Sequence, residues 1–321
     1  MTTYKEIFGK YVKNYSSDPT DDIEGQVWYN STTGVFKTNL NAGAVWASGG
    51  NLGTARRAMG SAGTQTAGLG FGGSTASVTA ATEEYDGSAW TGGGNMGTAR
   101  FTLAGAGTQT AGLGFGGYAP SSVLNNTEEY DGSAWTTGGN LATARNALAG
   151  AGTQTAGLAF GGQTNTALTN VTEEYDGSAW TGGGNMGTTR LDLSGAGTQT
   201  AGLGFGGSNG TAVVANTEEY DGSAWAAGGN LNTAREQLGG AGLQTAGLAF
   251  GGYTTVVVAN TEEYNGTSWT ASTALTTARR ALRGAGIQTA GLAFGGNTTV
   301  DSAATEEYTD PVFTTKTITT S

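Results

Sequence analysis

Two adjacent carboxylates recur six times in this sequence, and they are its residues best suited to acid–base chemistry. Each Thr-Glu-Glu-Tyr segment contributes one pair, such as Glu83 with Glu84. Hydrolysis of a glycosidic bond needs two carboxyl groups that face one cleft at a set separation. Successive residues of a β-strand point to opposite faces of a sheet, so adjacent glutamates cannot serve one substrate. The pairs therefore predict structural contacts and not catalysis.

An arginine also recurs in every copy, ten residues after a tryptophan. Six guanidinium groups could form an anion-binding ring, but each copy also supplies two glutamates. Charge-assisted pairing with a carboxylate, within or between repeats, is the structural alternative and the one we favour. The six repeat arginines are Arg56, Arg100, Arg145, Arg190, Arg235 and Arg279.

Several kinds of chemistry have no residues to support them. The sequence holds no cysteine and no histidine, which removes thiolate nucleophiles, the usual zinc and copper ligands, and the best proton-transfer group near neutral pH. The Asp-Gly pairs, such as Asp86-Gly87, lack the alternating acidic pattern of a calcium loop and are typical of hairpin turns. The Gly-x-Gly patterns lack the strand–loop–helix context of a nucleotide site. We therefore predict no cofactor, no metal and no enzymatic activity.

Composition narrows the class of protein further. The net charge is −11 with 14 basic residues, which leaves no basic surface for nucleic acid. Glycine accounts for 59 residues and proline for 3, so the chain is not collagen-like. No stretch is long and apolar enough to insert into a membrane. The N-terminal residues lack the apolar core of a signal peptide, so we predict no secretory route.

One ordered pattern of 44 or 45 residues fills most of the chain. After each arginine come a run of alanine and glycine, a Gly-Gly doublet that follows phenylalanine, a loop of eight or nine residues, and Thr-Glu-Glu-Tyr. Self-similarity at this period indicates a repeat architecture. The repeat tryptophans and tyrosines are expected to pack between units. The tryptophans that mark the period are Trp46, Trp90, Trp135, Trp180, Trp225 and Trp269.

Each unit reads as four short antiparallel strands, which is one blade of an all-β propeller. We expect the first strand after the arginine, the second at Ala-Gly-Leu-Gly-Phe, the third at Thr-Glu-Glu-Tyr, and the fourth in the segment that ends in tryptophan. The Ala-Gly-Ala-Gly run of the first strand would lie closest to the axis, where glycine permits close backbone approach.

The order tryptophan, arginine, apolar strand, Gly-Gly, tyrosine and tryptophan resembles the Kelch repeat over residues 43–308. This resemblance implies a six-bladed Kelch-type β-propeller. Because the first copy enters at Val45-Trp46 and the last ends at Tyr308, we predict that an N-terminal strand completes the last blade and leaves no open sheet edge. Galactose oxidase, an enzyme with a Kelch-type propeller, needs copper with histidine ligands and a tyrosine–cysteine link, and this sequence supplies neither histidine nor cysteine.

Residues 1–42 do not match the repeat. The segment GQVWYNSTTGVFK predicts a short β-hairpin, and with IFGKYVKNYSSDP before it resembles the N-terminal attachment regions of tailed-phage virion proteins, especially from marine phages. The resemblance implies a virion-docking segment, against the alternative of a solvated tail. Residues 309–321 are threonine-rich and predict an extended tail or an extra strand. The predicted docking residues are Lys5, Phe8, Lys10, Trp28, Tyr29 and Phe36.

The six copies differ from one another mainly in two places: the pair of residues after each repeat arginine and the loop after each Gly-Gly. Variation on a constant frame is typical of a binding surface, although neutral drift after duplication is an equal alternative. In Kelch proteins the residue after the arginine lies at one mouth of the central channel. The candidate ligand- or partner-binding residues at that mouth are Arg57, Phe101, Asn146, Leu191, Glu236 and Arg280.

These observations predict a non-enzymatic virion protein of the tail-fibre or appendage type, assembled in the host cytoplasm. Its N-terminus would contact other virion proteins, and its propeller would bind a host surface glycan or protein or a neighbouring virion protein. One alternative is a purely structural decoration or cement protein of the particle. A second is a cellular Kelch adaptor, for which the chain lacks a partner domain.

Overall fold

The computed structural model describes residues 12–19, 26–41, 43–310 and 313–318. Within these residues the regular elements are β-strands, and no helix is long and apolar enough to cross a membrane. The chain forms two compact units, Trp46–Tyr308 and the combination of Met1–Val45 with Thr309–Ser321. The larger unit is a β-propeller, because it repeats one four-stranded antiparallel sheet around a ring.

The strands are numbered in chain order. The first four are β1 Lys13–Tyr15, β2 Val27–Asn30, β3 Val35–Asn41 and β4 Val45–Ser48. The next four form the first blade: β5 Gly60–Gly63, β6 Gly68–Phe71, β7 Thr82–Tyr85 and β8 Trp90–Gly92. The second blade consists of β9 Ala104–Thr108, β10 Ala111–Phe115, β13 Thr127–Tyr130 and β14 Trp135–Thr137, with the loop strands β11 Tyr118–Ala119 and β12 Ser122–Val123 between them.

The remaining blades repeat this order. The third has β15 Ala149–Thr153, β16 Ala156–Phe160, β17 Thr172–Tyr175 and β18 Trp180–Gly182. The fourth has β19 Ser194–Thr198, β20 Ala201–Phe205, β21 Thr217–Tyr220 and β22 Trp225–Ala227. The fifth has β23 Gly239–Leu243, β24 Ala246–Phe250, β25 Thr261–Tyr264 and β26 Trp269–Ser272. The last strands are β27 Arg283–Ile287, β28 Ala290–Phe294, β29 Thr305–Thr309 and β30 Phe313–Ile318.

Six four-stranded sheets make up the propeller, and their first strands form a closed ring. Strands β5, β9, β15, β19, β23 and β27 each contact the next in this order, and β27 contacts β5. The sixth sheet has the order β27-β28-β29-β4. The N-terminal strand β4 therefore completes the last blade, as the positions of Trp46 and Tyr308 in the repeat predicted. The all-β propeller fold predicted from the sequence is confirmed.

The position of the fourth strand differs from the sequence prediction. We predicted a strand that ends at the repeat tryptophan, but the strand begins at this residue. In β14, for example, the first residue, Trp135, pairs with Tyr130. The reason is the preceding turn, in which Asp131 Oδ1 accepts hydrogen bonds from the amides of Ser133 and Ala134, both at 2.8 Å. Because these bonds hold the residues between Tyr130 and Trp135 in a turn, pairing resumes only at the tryptophan.

The hydrophobic core lies between neighbouring blades. One cluster, for example, joins Phe115 of the second blade to Ala159 and Tyr175 of the third. Buried leucine, phenylalanine and tyrosine side chains recur at the same places in every blade. The core is thus a set of similar interfaces, each of which removes large apolar side chains from water at about 25 cal/mol per Å² of apolar surface.

The small residues of the first strands permit the close approach that the sequence predicted. A Cβ atom added to Gly150 of β15 would lie 2.6 Å from Phe115 Cζ and 2.8 Å from the carbonyl oxygen of Gly105 in the neighbouring blade. Real side chains essentially never make such contacts. A larger residue at this position would push adjacent blades apart near the axis.

A separate four-stranded sheet of order β1-β2-β3-β30 forms the smaller unit. Strands β2 and β3 form the antiparallel hairpin that the sequence predicted, with Val27 opposite Thr38. Strand β1 pairs with β2 in parallel, and β30 pairs with β3 in antiparallel. The threonine-rich C-terminal tail therefore contributes a strand to the N-terminal sheet, where the Phe313 backbone pairs with Asn41 and not with the last blade.

Candidate functional site

Each repeat arginine is buried and is held within its own blade. Nη2 of Arg145 donates to Glu173 Oε1 at 3.0 Å, and Nη1 donates to the carbonyl oxygens of Gly161 and Val171. Burial lowers the pKa of all six, yet an arginine stays protonated at neutral pH. These groups are therefore structural cations. The ion pairs are Arg56–Glu83, Arg100–Glu128, Arg145–Glu173, Arg190–Glu218, Arg235–Glu262 and Arg279–Glu306.

The second glutamate of each pair contacts the next blade. Glu129 Oε1 accepts a hydrogen bond of 2.5 Å from the hydroxyl of Tyr175, while Glu128 pairs with Arg100 inside its own blade. The two carboxylates of a pair thus engage different groups and do not converge on one cleft. The complete set of inter-blade bonds is Tyr85–Glu307, Tyr130–Glu84, Tyr175–Glu129, Tyr220–Glu174, Tyr264–Glu219 and Tyr308–Glu263.

Two further inter-blade contacts were missed in the sequence analysis. Trp180 Nε1 donates to Thr127 Oγ1 of the preceding blade at 2.9 Å. Gln154 Nε2 donates to the carbonyl oxygens of Gly112 and Tyr130, at 3.1 and 2.7 Å. The signal was present, since the threonine of Thr-Glu-Glu-Tyr and the glutamine of the first hairpin occur in all six copies. Repetition alone marks them as interface residues but does not show their partners.

The structure brings the two variable places of the repeat together. Each residue after a repeat arginine forms an isolated antiparallel bridge with the first residue of the loop after Gly-Gly in the same blade. We call these twelve residues the rim. The pairs are Arg57 with Ser74, Phe101 with Tyr118, Asn146 with Gln163, Leu191 with Ser208, Glu236 with Tyr253, and Arg280 with Asn297.

The rim is not chemically uniform. Its charged positions belong to the fifth, sixth and first blades, where Arg280 lies 5.0 Å above the ring of Tyr253 and Arg57 pairs with Asp301 at 2.5 Å. The second blade instead presents the rings of Phe101 and Tyr118, edge to face at 5.7 Å between centroids. Tyrosine and arginine are the residue types that most often dominate protein interfaces. Tyr118 and Tyr253 were not singled out from the sequence.

Inside the rim, six residues close a ring of backbone hydrogen bonds around the axis. Each has a φ between 50° and 56°, and its amide donates to the carbonyl of the equivalent residue in the preceding blade at 2.7–2.9 Å. A side-chain-bearing residue in this left-handed region is strained, so the surrounding bonds must hold it there. We call this ring the collar. It consists of Ala58, Thr102, Ala147, Asp192, Gln237 and Ala281.

The collar carries one ionisable side chain, Asp192. Its Oδ2 accepts a hydrogen bond of 3.1 Å from Gln237 Nε2. Burial raises the pKa of Asp192, against the lowering effect of the bond from Gln237 and of nearby Arg283 and Arg280. Burial, followed by the charge of Asp192, also raises the pKa of Glu236 on the rim. The charge of Asp192 in the fourth blade therefore reaches Glu236 in the fifth.

Three of the six predicted docking residues lie in the part of the chain that the structure describes. Trp28 is fully buried, and its Nε1 donates to Asp18 Oδ1 at 3.2 Å, so this ring serves the packing of its own unit. Tyr29 and Phe36 are half-buried cross-strand neighbours with ring centroids 5.2 Å apart. The predicted docking residues Lys5, Phe8 and Lys10 lie outside the described residues.

Comparisons with known proteins identify the fold. No family model matches the chain, and no curated protein matches it. Among solved structures, that of YjhT is similar, with a TM-score of 0.70 and 11% sequence identity over 83% of this chain and 99% of that chain. A likeness at this identity shows the β-propeller fold alone, because one fold carries many functions. Within the described residues, no group of three or more acidic side chains could hold a metal ion.

Proposed function

We propose that this chain is a non-enzymatic phage virion protein that displays a Kelch-type β-propeller as a recognition surface. The propeller binds a host surface component or a neighbouring virion protein through the rim. The N-terminal segment, residues 1–42, docks on other virion proteins. The protein needs no cofactor for this role.

One observation carries the proposal: the variable residues of all six blades meet in bridged pairs, while the scaffold contacts are the same in every copy. The Arg–Glu, Tyr–Glu and Trp–Thr bonds recur around the whole ring. The rim instead combines Phe101 with Tyr118 in one blade and Arg280 with Tyr253 at another place. A constant frame with a variable, aromatic and charged rim is suited to recognition.

The non-enzymatic part of the proposal rests on how the acidic groups are used. Glu128 and Glu129 illustrate the six pairs: one neutralises a buried arginine and the other accepts from a tyrosine of the next blade. Neither carboxylate is left to act on a substrate. The proposal would be wrong if purified protein hydrolysed a glycan that it binds.

Recognition is tested by binding of labelled protein to host cells and to glycan arrays. We expect the wild-type chain to bind and Phe101→Ala to weaken binding about 10-fold or more, as for a buried aromatic hot spot. Thr91→Ala, on the exposed outer strand β8, is the matched control and should bind like wild type. Equal binding by Phe101→Ala and wild type would exclude the second blade of the rim as the contact.

Docking is tested on particles. A chain without residues 1–42 should be missing from purified virions when it replaces the full chain in an infected host, whereas a full chain with Phe101→Ala should still be incorporated. Quantitative mass spectrometry of the particles measures both. Incorporation of the truncated chain at the wild-type level would contradict docking through the N-terminus.

A purely structural decoration protein is the second candidate. The observation that favours it is the burial of the rim: the six residues after the repeat arginines are half-buried or buried, and Asn146 is only 8% exposed. In that case rim substitutions leave cell and glycan binding unaffected but lower the stability of the particle towards heat or chelators. The same variants thus separate the two candidates.

A further inference from the structure

Two cavities lie on the axis of the ring, and one arginine lines both. The larger, of about 100 Å³, is lined by residues from the first strands of all six blades. The smaller is lined by the collar and by leucines that it shares with the larger cavity. Arg283 is the one charged side chain among the described residues that line the larger cavity.

Arg283 departs from the repeat at a position where the other blades carry small residues. It is the first residue of the first strand, β27. Nothing in the shared scaffold requires an arginine there, because five blades fold the same strand without it. The equivalent residues are Gly60, Ala104, Ala149, Ser194 and Gly239.

Within the described part of the chain, the guanidinium group of Arg283 donates its hydrogen bonds to carbonyl oxygens. Nε donates to the carbonyl oxygen of Met59 in the first blade, and Nη1 donates to that of Leu282 at 3.2 Å. Among the described residues it forms no ion pair. Burial lowers its pKa to about 10, so the group remains cationic at neutral pH.

The other arginines of the chain differ from Arg283 because their guanidinium groups contact a carboxylate or an aromatic ring. The six repeat arginines each face a glutamate, Arg57 pairs with Asp301, and Arg280 lies over the ring of Tyr253. Arg283 is half-buried and forms no ion pair among the described residues, so its guanidinium group carries a desolvation cost, and a bound anion offsets part of that cost. Ser194 lines the same cavity, and its hydroxyl group is able to donate a hydrogen bond.

Asp192 is the charged neighbour that opposes an anion. It lines the smaller cavity together with Arg283, but its carboxylate accepts from Gln237 and forms no ion pair within the described part of the chain. Arg280 and Glu236 are the other charged groups that influence this region. The charge of Asp192 acts on Arg283 and thus weakens the attraction of Arg283 for an anion.

We propose that the axial cavity is an anion site in which Arg283 binds one small monovalent anion, of the size of a halide ion or a single carboxylate group. A cavity of about 100 Å³ holds several water molecules or one such anion, since a water needs roughly 10–15 Å³ by this measure. The site is distinct from the rim and does not depend on what the rim binds. A carboxylate ligand and a halide share the same chemistry and compete for Arg283.

Bromide is the probe. Crystals of the full chain grown with bromide should show an anomalous peak within hydrogen-bond distance of Arg283, and crystals of Arg283→Ala should show none. In solution, the line width of the chloride NMR signal should report binding by wild type that both bromide and acetate displace. Displacement by bromide alone would assign the site to halides, and displacement by acetate as well would extend it to carboxylates.

Arg283→Ala is a safe variant because the second and third blades carry alanine at this position. A second variant, Asp192→Asn, keeps an acceptor for Gln237 and suits a φ of 52°. Removing its negative charge should tighten chloride binding roughly 3- to 30-fold.

Lys37→Gln, which removes a cation from the smaller unit, is the control and should bind chloride like wild type. Equal chloride binding by wild type and Arg283→Ala, or the lack of a bromide peak at Arg283 in wild type, would overturn the proposal.

Discussion

Individual side chains join neighbouring blades through bonds that recur around the ring. Tyr175 reaches back to Glu129, Trp180 to Thr127, and Gln154 to the Tyr130 carbonyl. Each bond satisfies a buried polar group, whose desolvation would otherwise cost about 1–3 kcal/mol. The residues that make the interface specific thus also pair polar groups that the interface removes from water.

Breaking one buried ion pair should destabilise the whole propeller. Arg145→Ala leaves Glu173 buried without a cation, and we expect the free energy of unfolding to fall by about 3–5 kcal/mol. Arg57→Ala is the control, because its side chain is 41% exposed in its pair with Asp301. The Asp301 side chain is 17% exposed, so the pair is partly open to solvent and contributes less than a fully buried one, about 1 kcal/mol. Urea unfolding of both variants measures the difference, and similar losses would argue against this account.

The inter-blade tyrosines predict sensitivity to alkali. Burial, followed by the glutamate hydrogen bond, raises the pKa of five of these tyrosines from 10 to about 12: Tyr85, Tyr130, Tyr175, Tyr220 and Tyr264. The unfolded chain therefore releases these protons at lower pH than the folded chain. The stabilisation is fully present below pH 10 and is lost as the pH rises towards 12. Circular dichroism across this range should show unfolding.

Tyr130→Phe tests the origin of that alkaline transition. The variant removes one titrating hydroxyl, so its stability should depend less steeply on pH between 10 and 12 than that of wild type. It should also be less stable at pH 7, since Glu84 loses its donor. An unchanged slope would mean that other groups cause the transition.

At the scale of the strand and its turn, the Gly-Gly doublet is needed for two reasons. Gly117 has a φ of 103°, and an added Cβ would lie 2.9 Å from Leu103 Cβ. Its amide also donates to the carbonyl oxygen of Arg145 in the next blade at 2.8 Å. The doublet thus ends the second strand and contacts the next blade at the same point.

Replacing Gly117 with alanine should therefore lower the stability of the propeller, whereas the same replacement at an unconstrained glycine should not. We expect Gly117→Ala to lower the free energy of unfolding by about 1–3 kcal/mol. Gly182→Ala is the matched control, because nothing lies within 4 Å of a Cβ added there, and it should change stability by less than about 0.5 kcal/mol. Thermal unfolding of the pair provides the measurement. Equal melting temperatures would show that the doublet is dispensable.

For the molecule as a whole, closure of the ring depends on a strand far away in sequence. Strand β4 places the ring of Trp46 against the rings of Phe250 and Tyr308. Trp46 Nε1 also donates a hydrogen bond to Thr261 Oγ1 at 3.0 Å. Without this strand, β29 would be an open sheet edge, which promotes aggregation. The first and last parts of the propeller are thus held in one blade.

Two truncated chains test closure. We expect residues 43–310 to unfold cooperatively, and residues 50–310, which lack β4, to melt roughly 10 °C lower and to aggregate. Losing a buried tryptophan costs about 3–5 kcal/mol, and each kcal/mol shifts the melting temperature of a domain of this size by about 2–4 °C. Scanning calorimetry with light scattering distinguishes the two. The same melting temperature for both chains would mean that β4 does not close the ring.

The period of about 45 residues was sufficient to predict four strands per blade, the small first strand and the closing strand, because each follows from a local pattern that occurs six times. It placed the fourth strand before the tryptophan, whereas the Asp-Gly turn delays that strand until the tryptophan itself. The tertiary structure decided which blade each polar side chain reaches: Glu128 stays in its own blade and Glu129 contacts the next. It also decided the collar and the axial position of Arg283. These features depend on how blades twist and meet around an axis, and no single repeat contains that geometry.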